Sequence, residues 1–393
     1  MLERLCFGDL PAKPHLALRA ADGQLRYEHC LTRQGFEGPF TIEYHQHRPQ
    51  ALQAAGDPLF APLGEAPPGT DRAGSLRPGF ARRHYRTAAL ASEHSGVPTP
   101  LLYNADLVLG CRKPTRDDAS YQLNAGADEL WFVLSGRGCL RTPLGDLDFQ
   151  AGDYVCIPKG ILYRVVIDAH EAQHYLSLEL LDGVGIPKAF RNAVGQLRMD
   201  APYSHRDFRR PRFAGPRDEG VREVWVKSGE TRQRFLYGHS PLDVVGWDGS
   251  VYPWAFPIRN FQPRVSSVHL PPTWHGTFEA TGALICSFVP RPLDFHPDAV
   301  PCPYPHSNVD IDEVLFYVEG EFSSRRGVER GSLTHHPRGV PHGPHPGRYE
   351  QSLGMQRTEE VAVMLDCRLR LLPTRAALEI EDASYDASFH AAS

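Results

Sequence analysis

Apolar residues along this chain fall into short runs that turn residues separate. Five such runs are ELWFVLSG (129–136), DYVCIP (153–158), YRVVI (163–167), REVWV (222–226) and EVLFYVEG (313–320). The 35 glycines and 35 prolines supply the turns between runs of this kind. Runs rich in Val, Tyr, Phe and Trp between turn signals predict the strands of a β-barrel or sandwich. Helical periodicity is scarce, and we predict only short helices at 205–210 and 374–380.

Two segments of the chain repeat one spacing of anchor residues. An apolar run lies between Glu129 and Gly136, and another lies between Glu313 and Gly320 at the same spacing. Downstream, the matching anchors are Gly152, Pro158, Gly160 and Tyr163 in the first segment and Gly331, Pro337, Gly339 and His342 in the second. Two copies of one strand–turn–strand unit predict a duplicated β-barrel.

The chain of 393 residues exceeds the usual size of a single core, so we divide it into parts. Residues 1–220 form an N-terminal β domain that begins with an irregular arm or an extra sheet and contains the first barrel at about 105–180. Residues 221–372 form the second barrel, and residues 373–393 form a C-terminal tail. The predicted fold class is all-β, with little helix.

Charge and cysteine usage narrow the functional classes. Lys and Arg total 42 against 47 Asp and Glu, which gives a net charge of −5 and excludes the basic face of a nucleic-acid-binding protein. The first residues lack the apolar core of a signal peptide, and no apolar stretch is long enough to cross a bilayer. None of the eight cysteines forms a CxxC pair. We therefore expect a soluble cytoplasmic protein with no membrane partner.

The second copy resembles the two cupin motifs, in which a histidine-bearing strand and a glutamate precede a glycine turn and a further histidine. The resemblance implies metal ligands at His306, Glu313 and His342. Two histidines and one carboxylate form the facial triad of non-haem Fe(II) oxygenases. The first copy has Gln122, Glu129 and Tyr163 at the corresponding positions, so we expect that barrel to bind no metal. The competing interpretation is that these histidines are ordinary hydrogen-bonded residues of a β-barrel.

A narrower resemblance rests on three segments in order: DVVGWDGSVYP (243–253), PYPHSN (303–308) and VPHGPHPG (340–347). Together they resemble the homogentisate 1,2-dioxygenase family over roughly residues 100–372. Members of that family open the aromatic ring of homogentisate with Fe(II) and O2, giving maleylacetoacetate. The resemblance thus implies Fe(II) as cofactor, a small aromatic substrate and O2 as partners, and a trimer or hexamer.

The family resemblance also implies roles around the metal. It places an active-site histidine at His336, and a cationic substrate-binding residue at Arg325. Tyr304 precedes His306 by two residues, so strand alternation places both on one face and makes Tyr304 a second substrate-binding candidate. Arg325 has an equally good interpretation as a solvated charge of a hairpin.

Two positions depart from the family pattern. This chain has Phe322 where better-known members have tyrosine, and Pro272 where they have histidine. His269 and His275 flank Pro272 and are candidates to replace that histidine, His275 as an acid–base residue and His269 in substrate binding. These departures leave open a related hydroquinone acid as substrate. They also leave open another cupin enzyme, such as a gentisate-type or aminophenol dioxygenase or an isomerase, or a non-enzymatic protein with two cupin barrels.

Overall fold

The computed structural model describes residues 3–63, 80–92, 97–322 and 324–390. Strands dominate this part of the chain, and its two α-helices span only Arg348–Gln351 and Arg375–Glu379. Its 3₁₀ turns lie at Thr87–Ala89, Lys188–Phe190, His205–Asp207, Ile258–Asn260, Pro272–His275 and Ala387–Phe389. The prediction of an all-β cupin fold with little helix is confirmed. No helix within these described ranges is long and apolar enough to cross a membrane.

Two large sheets form the first barrel. The seven-stranded sheet runs, in spatial order, Trp254–Pro257, Asp153–Ile157, Asp128–Ser135, His174–Leu180, Leu107–Arg112, Thr99–Tyr103 and Leu372–Pro373. The eight-stranded sheet runs Gly145–Gln150, Arg137–Thr142, Leu162–Ile167, Tyr121–Asn124, Glu223–Ser228, Thr231–Tyr237 and Leu52–Ala54, with Leu59–Phe60 also paired to Thr231–Tyr237. Side chains such as Trp131, Val155 and Tyr163 form an apolar core in this barrel.

The second barrel has one large sheet of six strands. In spatial order it runs Gly276–Ala280, Ala283–Phe288, Val361–Cys367, Asp312–Glu319, Ser332–His336 and Arg83–Arg86. The connections 289–311 and 337–360 pair with each other through the small sheet of Arg291–Pro292 with Arg357–Thr358 and through the bridge between His306 and His342. These short pairings hold the two loops together beside the large sheet.

The N-terminal arm contains an extra sheet, one of the two alternatives for this segment. A four-stranded sheet runs Leu5–Gly8, Val244–Gly249, Phe40–His45 and Tyr27–Thr32. All of its neighbours are antiparallel. A strand from residues 244–249 therefore ties the first fifty residues to the middle of the chain, a long-range pairing that a local sequence pattern does not reveal.

The two predicted copies share the same strand register. Glu129 lies opposite Ile157 in the first copy, and Glu313 lies opposite His336 at the matching positions of the second. The amide of Gly152 donates to the Val133 carbonyl at 2.8 Å, and the amide of Gly331 donates to the Tyr317 carbonyl at the same distance. All six repeated turn glycines, Gly136, Gly152, Gly160, Gly320, Gly331 and Gly339, have positive φ, as a tight turn requires. The predicted duplication is confirmed at the level of hydrogen bonds.

The barrels pack with their large sheets back to back. Phe132 and Phe316 occupy the same repeat position, and their rings meet edge to face at 6.4 Å in the shared core. Because strand side chains alternate between faces, this packing leaves Glu129 and Glu313 pointing into their own barrels. The first interior holds an apolar core beside the hydrogen-bonded Glu129, whereas the second holds imidazoles around Glu313.

Strand pairing bears on the division of the chain. Glu223–Ser228 pairs in parallel with Tyr121–Asn124, and Trp254–Pro257 pairs with Asp153–Ile157. Both segments after residue 220 therefore belong with the first barrel, and we propose a boundary between residues 257 and 276 in place of 220/221. The tail packs against the second barrel through an Arg83–Glu381 ion pair, while residues 391–393 lie outside the described residues.

Candidate metal centre

The three predicted ligands converge at the inner face of the second barrel. Glu313 is the second residue of the Asp312–Glu319 strand and is 5% exposed. His306 and His342 come from two loops that hold each other, since each backbone amide donates to the other's carbonyl at 2.8 Å. Sheet and loops thus fix the three side chains from opposite sides. The structure brings the three predicted ligands together, and their role as metal ligands stays a prediction.

The ligand atoms are arranged as a metal would require. The Glu313 carboxylate lies 3.7 Å from His306 Nε2 and 3.6 Å from His342 Nε2. One candidate atom from each residue falls within 4.8 Å of the others. On the far side, His306 Nδ1 faces the Tyr304 carbonyl at 3.2 Å, and His342 Nδ1 faces the Val340 carbonyl at 2.9 Å. A carbonyl accepts the Nδ1 proton and so leaves the Nε2 lone pair for a metal.

The residues present therefore fit a divalent ion. His342 is 3% exposed, and its Nε2 is buried without a hydrogen-bond partner. A buried polar atom without a partner is costly, and a metal ion at this point would remove that cost. Two neutral imidazoles and a carboxylate suit Fe(II) and similar first-row ions.

Electrostatics keep the carboxylate ionised. Burial alone would raise the pKa of Glu313, but the imidazoles of His306, His336 and His342 around it hold that pKa well below its usual value. In return, the neighbouring Glu313 carboxylate raises the pKa of His306. Glu313 is thus available as a charged ligand at any pH near neutrality.

Asp366 is a site residue that the sequence interpretation missed. It lies directly opposite Glu313 on the neighbouring Val361–Cys367 strand, and its Oδ1 is buried without a partner. Burial, together with the charge of Glu313, raises the pKa of Asp366 to about 7. In the first copy, Glu179 lies opposite Glu129 and is neutralised by the Lys227 ammonium. The second copy has a carboxylate at the matching place with no such lysine partner among the described residues, which again favours a bound cation.

His336 lies beside the ligands and is fully buried. Its Nδ1 is 3.0 Å from Glu313 Oε1, its Nε2 is 3.4 Å from the Tyr385 hydroxyl, and its ring stacks on His342 at 4.7 Å. Burial lowers the pKa of His336 to about 3. This geometry makes His336 a neutral residue that orients the Glu313 carboxylate. Its part in proton transfer stays a prediction.

The residues around Pro272 divide into a buried and a partly open position. His275 is 5% exposed with its Nδ1 unpartnered, and burial lowers the pKa of its imidazole to about 3. His269 lies nearer the surface, with Nδ1 3.3 Å from Asp294 and its ring edge-on to Tyr304 at 5.2 Å. The ring of Tyr304 in turn meets that of His306 at 6.1 Å. Tyr304 and His269 therefore lie at the approach to His306.

Arg325 is buried, contrary to its interpretation as a solvated hairpin charge. It is 6% exposed, its guanidinium donates to the Gly343 carbonyl, and its Nε lacks a partner. Half-buried Phe322, at the position where the family pattern has a tyrosine, packs edge-on against Tyr317 at 4.7 Å. The role of Arg325 as an anchor for the substrate carboxylate stays a prediction, and its unpartnered Nε donor supports that role.

The corresponding position in the first barrel is occupied by a hydrogen-bond network. The Tyr163 hydroxyl donates to both oxygens of Glu129 at 3.1 and 3.0 Å, and the Trp131 indole donates at 3.1 Å. Gln122 accepts from Arg232 at 2.9 Å. No imidazole comes from these positions, and the absence of a metal from this barrel stays a prediction.

Comparisons with known proteins agree with this architecture. The family model for the N-terminal part of homogentisate 1,2-dioxygenase matches residues 111–258, a span that ends near the boundary proposed above. A protein of Saccharolobus solfataricus, whose name assigns it provisionally to the dioxygenases, is 32% identical over 391 residues and covers 98% of both chains.

More distant relatives cover part of the chain. Homogentisate 1,2-dioxygenase of Nitrobacter hamburgensis is 28% identical over 55% of this chain, and that of Bradyrhizobium diazoefficiens is 26% identical over 65%. The matches span 49% and 58% of those two proteins. Among solved structures, a cupin 2 conserved barrel domain protein from Leptotrichia buccalis matches with a TM-score of 0.31 and 10% identity, over 73% of this chain and 96% of its own.

Proposed function

The chain belongs to the homogentisate 1,2-dioxygenase family, and on that premise we propose that it is an Fe(II)-dependent ring-cleaving dioxygenase. The proposed reaction opens the aromatic ring of homogentisate, or of a closely related hydroquinone acid, with O2. The product from homogentisate is maleylacetoacetate. The observation that carries the proposal is the ligand set His306, Glu313 and His342, with a buried and unpartnered His342 Nε2.

The same observation weighs against the other candidates. A non-enzymatic protein with two cupin barrels has no need for three preformed ligand atoms within 4.8 Å of one another. Cupin enzymes that keep a His-x-His pair are disfavoured by Asn308, which stands two residues after His306. Its carbonyl instead accepts from the Gly339 amide at 2.6 Å and supports the loop that leads to His342.

The chain's own residues would divide the work of binding and proton handling. When bound, Fe(II) supplies positive charge for a phenolate and a route for electrons to O2. Tyr304 and His269 line the approach, and the unpartnered Nε of Arg325 offers a donor to the substrate carboxylate. His275 is a second candidate for proton handling: its Nδ1 is buried without a hydrogen-bond partner, although its pKa, lowered to about 3, makes the neutral imidazole only a weak base.

The direct test is O2 uptake by the iron-reconstituted protein over a panel of dihydroxyphenyl acids. We expect turnover with homogentisate or a close analogue. Arg325→Met should raise KM for an acidic hydroquinone by roughly ten- to a hundredfold, because a charge-assisted hydrogen bond contributes about 1.5–3 kcal/mol. It should leave an uncharged hydroquinone unaffected. The neighbouring Arg326, which is exposed, provides the matched control Arg326→Met.

An equal rise in KM for the acidic and the uncharged hydroquinone in Arg325→Met would rule out the anchor role. Absence of ring cleavage across the panel, in protein that holds iron, would contradict the proposed function. Assembly into a trimer or hexamer and a cytoplasmic location remain proposals. Light scattering on the purified protein measures the assembly state.

A further inference from the structure

A second cluster of imidazoles and a carboxylate lies in the N-terminal four-stranded sheet. His29 is directly opposite Glu43 on the neighbouring strand. His45 follows Glu43 by two residues in the strand Phe40–His45 and shares its face. The segment 43–47 reads Glu-Tyr-His-Gln-His, an alternation that places its ionisable side chains on one side. None of these residues belongs to either barrel's Glu129 or Glu313 site.

The three side chains meet at one oxygen atom. Glu43 Oε2 lies 3.2 Å from His29 Nδ1 and 3.1 Å from His45 Nε2. The two rings are 5.6 Å apart and tilted by 48°, so they approach the carboxylate from different directions. One candidate ligand atom from each falls within 4.8 Å of the others, as in the second barrel. The donor set of two imidazoles and a glutamate is also the same.

A fixed carboxylate supports this cluster from behind. His45 Nδ1 is 2.7 Å from Asp243 Oδ1, and the other oxygen of Asp243 accepts from the His47 amide at 2.8 Å. The Asp243 side chain is 2% exposed. A histidine that binds metal through one nitrogen commonly donates from the other to such a carboxylate, which fixes the ring and its tautomer. His45 is placed in that way, with Nε2 facing the cluster.

We propose that His29, Glu43 and His45 form a second divalent-metal site, of the zinc class, that clamps the N-terminal sheet. Three nitrogen and oxygen ligands suit Zn(II), with water in the fourth position. The His29 side chain is 44% exposed, so the ion enters from solvent, while Glu43 and His45 are buried. The bound ion would join the strand Tyr27–Thr32 to Phe40–His45.

An ordinary ion pair on the same sheet shows the difference. His15 Nδ1 lies 3.0 Å from Glu28, but it brings one imidazole, and its side chain is 97% exposed. No second histidine contacts Glu28 among the hydrogen bonds and ion pairs of the described residues. His15 therefore provides a matched control for a histidine–carboxylate pair that is not a metal site.

The experiment uses full-length protein with the second-barrel site disabled by His306→Ala and Glu313→Gln. Equilibrium dialysis against Zn(II) and titration with Co(II), followed by its visible absorption, measure the remaining site. We expect one Zn(II) per chain in this background and a melting temperature that rises with Zn(II). Adding His29→Ala should weaken binding at least a hundredfold, whereas adding His15→Ala should change nothing.

Two results would overturn the proposal. One is that the background variant binds no Zn(II), which would leave the cluster as a hydrogen-bonded network only. The other is that His29→Ala keeps the ion while His239→Ala loses it, which would move the site to the adjacent group His47, His239 and Asp243. Ring cleavage is measured separately in protein carrying His29→Ala alone, where the second barrel is intact and turnover should match the parent.

Discussion

His336 contacts a metal ligand at its Nδ1, and this contact defines its first role. The hydrogen bond to Glu313 holds one carboxylate oxygen in place. Removing a hydrogen bond of this kind typically costs about 10–100-fold in metal affinity. We expect His336→Gln to lose Fe(II) affinity by that factor, as measured by anaerobic titration. If the fully loaded variant is also slow, His336 takes part in proton transfer as well.

The next residue in the chain supplies the control. His335 points to the opposite face of the same strand, where its Nε2 lies 3.0 Å from Asp312. His335→Gln should leave Fe(II) affinity at the parent value even if it lowers stability. Equal loss of affinity in both variants would mean that His336 acts only through the fold.

A second residue, the buried His174, makes the stability of the fold depend on pH. His174 is 7% exposed at the interface of the barrels, and burial, with the charges of Lys113 and Arg330, lowers its pKa to about 4. Below pH 6.5, about the ordinary pKa of histidine, His174 in the unfolded chain therefore binds a proton, whereas His174 in the folded protein does not. The stability from this group is fully present above that pH, and it is lost as the pH falls from about 6.5 to 4.

Denaturation in urea at several pH values checks this prediction. His174→Gln should flatten the fall in unfolding free energy across that window, by at most about 3 kcal/mol. His170→Gln, at an exposed position four residues earlier, is the control and should leave the slope as it is. An unchanged slope in His174→Gln would show that folding does not lower the pKa of His174.

Among the structural elements, the repeated glycine turns are the most sharply constrained. Gly320 has φ +93°, and a Cβ there would lie 2.6 Å from the Glu359 carbonyl oxygen. Gly339 has φ +77° but has nothing within 4 Å of such a Cβ. Gly339→Ala should therefore cost only the backbone strain of about 1–2 kcal/mol, whereas Gly320→Ala should cost more. Chemical denaturation of both variants compares them, and equal losses would contradict the predicted clash.

The same elements show how far sequence reasoning reaches. The anchors Glu129 and Glu313 could be found because each begins a motif whose spacing is local. Asp366 was missed because it reaches Glu313 only through strand pairing, 53 positions on, while Glu179 follows Glu129 by 50. Because the connecting loops differ in length, the equivalence of Glu179 and Asp366 can be recognised only from the strand pairing. The pairing of Val244–Gly249 with the N-terminal strands could not be predicted for the same reason, since the paired residues lie far apart in the sequence.

At the scale of the whole molecule, the two copies differ in what surrounds the repeated glutamate. Two copies with one register share a core, and the first keeps Glu129 in a network with Tyr163 and Trp131. The second has His306 and His342 where the first has Gln122 and Tyr163. The C-terminal tail closes this barrel, since Tyr385 reaches His336 and Phe389 stacks on His345 at 4.0 Å. The predicted C-terminal tail therefore contributes Tyr385 to the surroundings of the metal centre.

One measurement tests the central claim, that the metal of the reaction depends on the second copy alone. Iron content and O2 uptake with homogentisate are compared in the parent, Glu129→Gln and Glu313→Gln after anaerobic Fe(II) reconstitution. We predict that Glu129→Gln holds as much iron as the parent and turns over at a similar rate, because its carboxylate binds only protein donors. Glu313→Gln should hold one equivalent less and show no ring cleavage. Loss of iron and turnover in Glu129→Gln as complete as in Glu313→Gln would contradict the account.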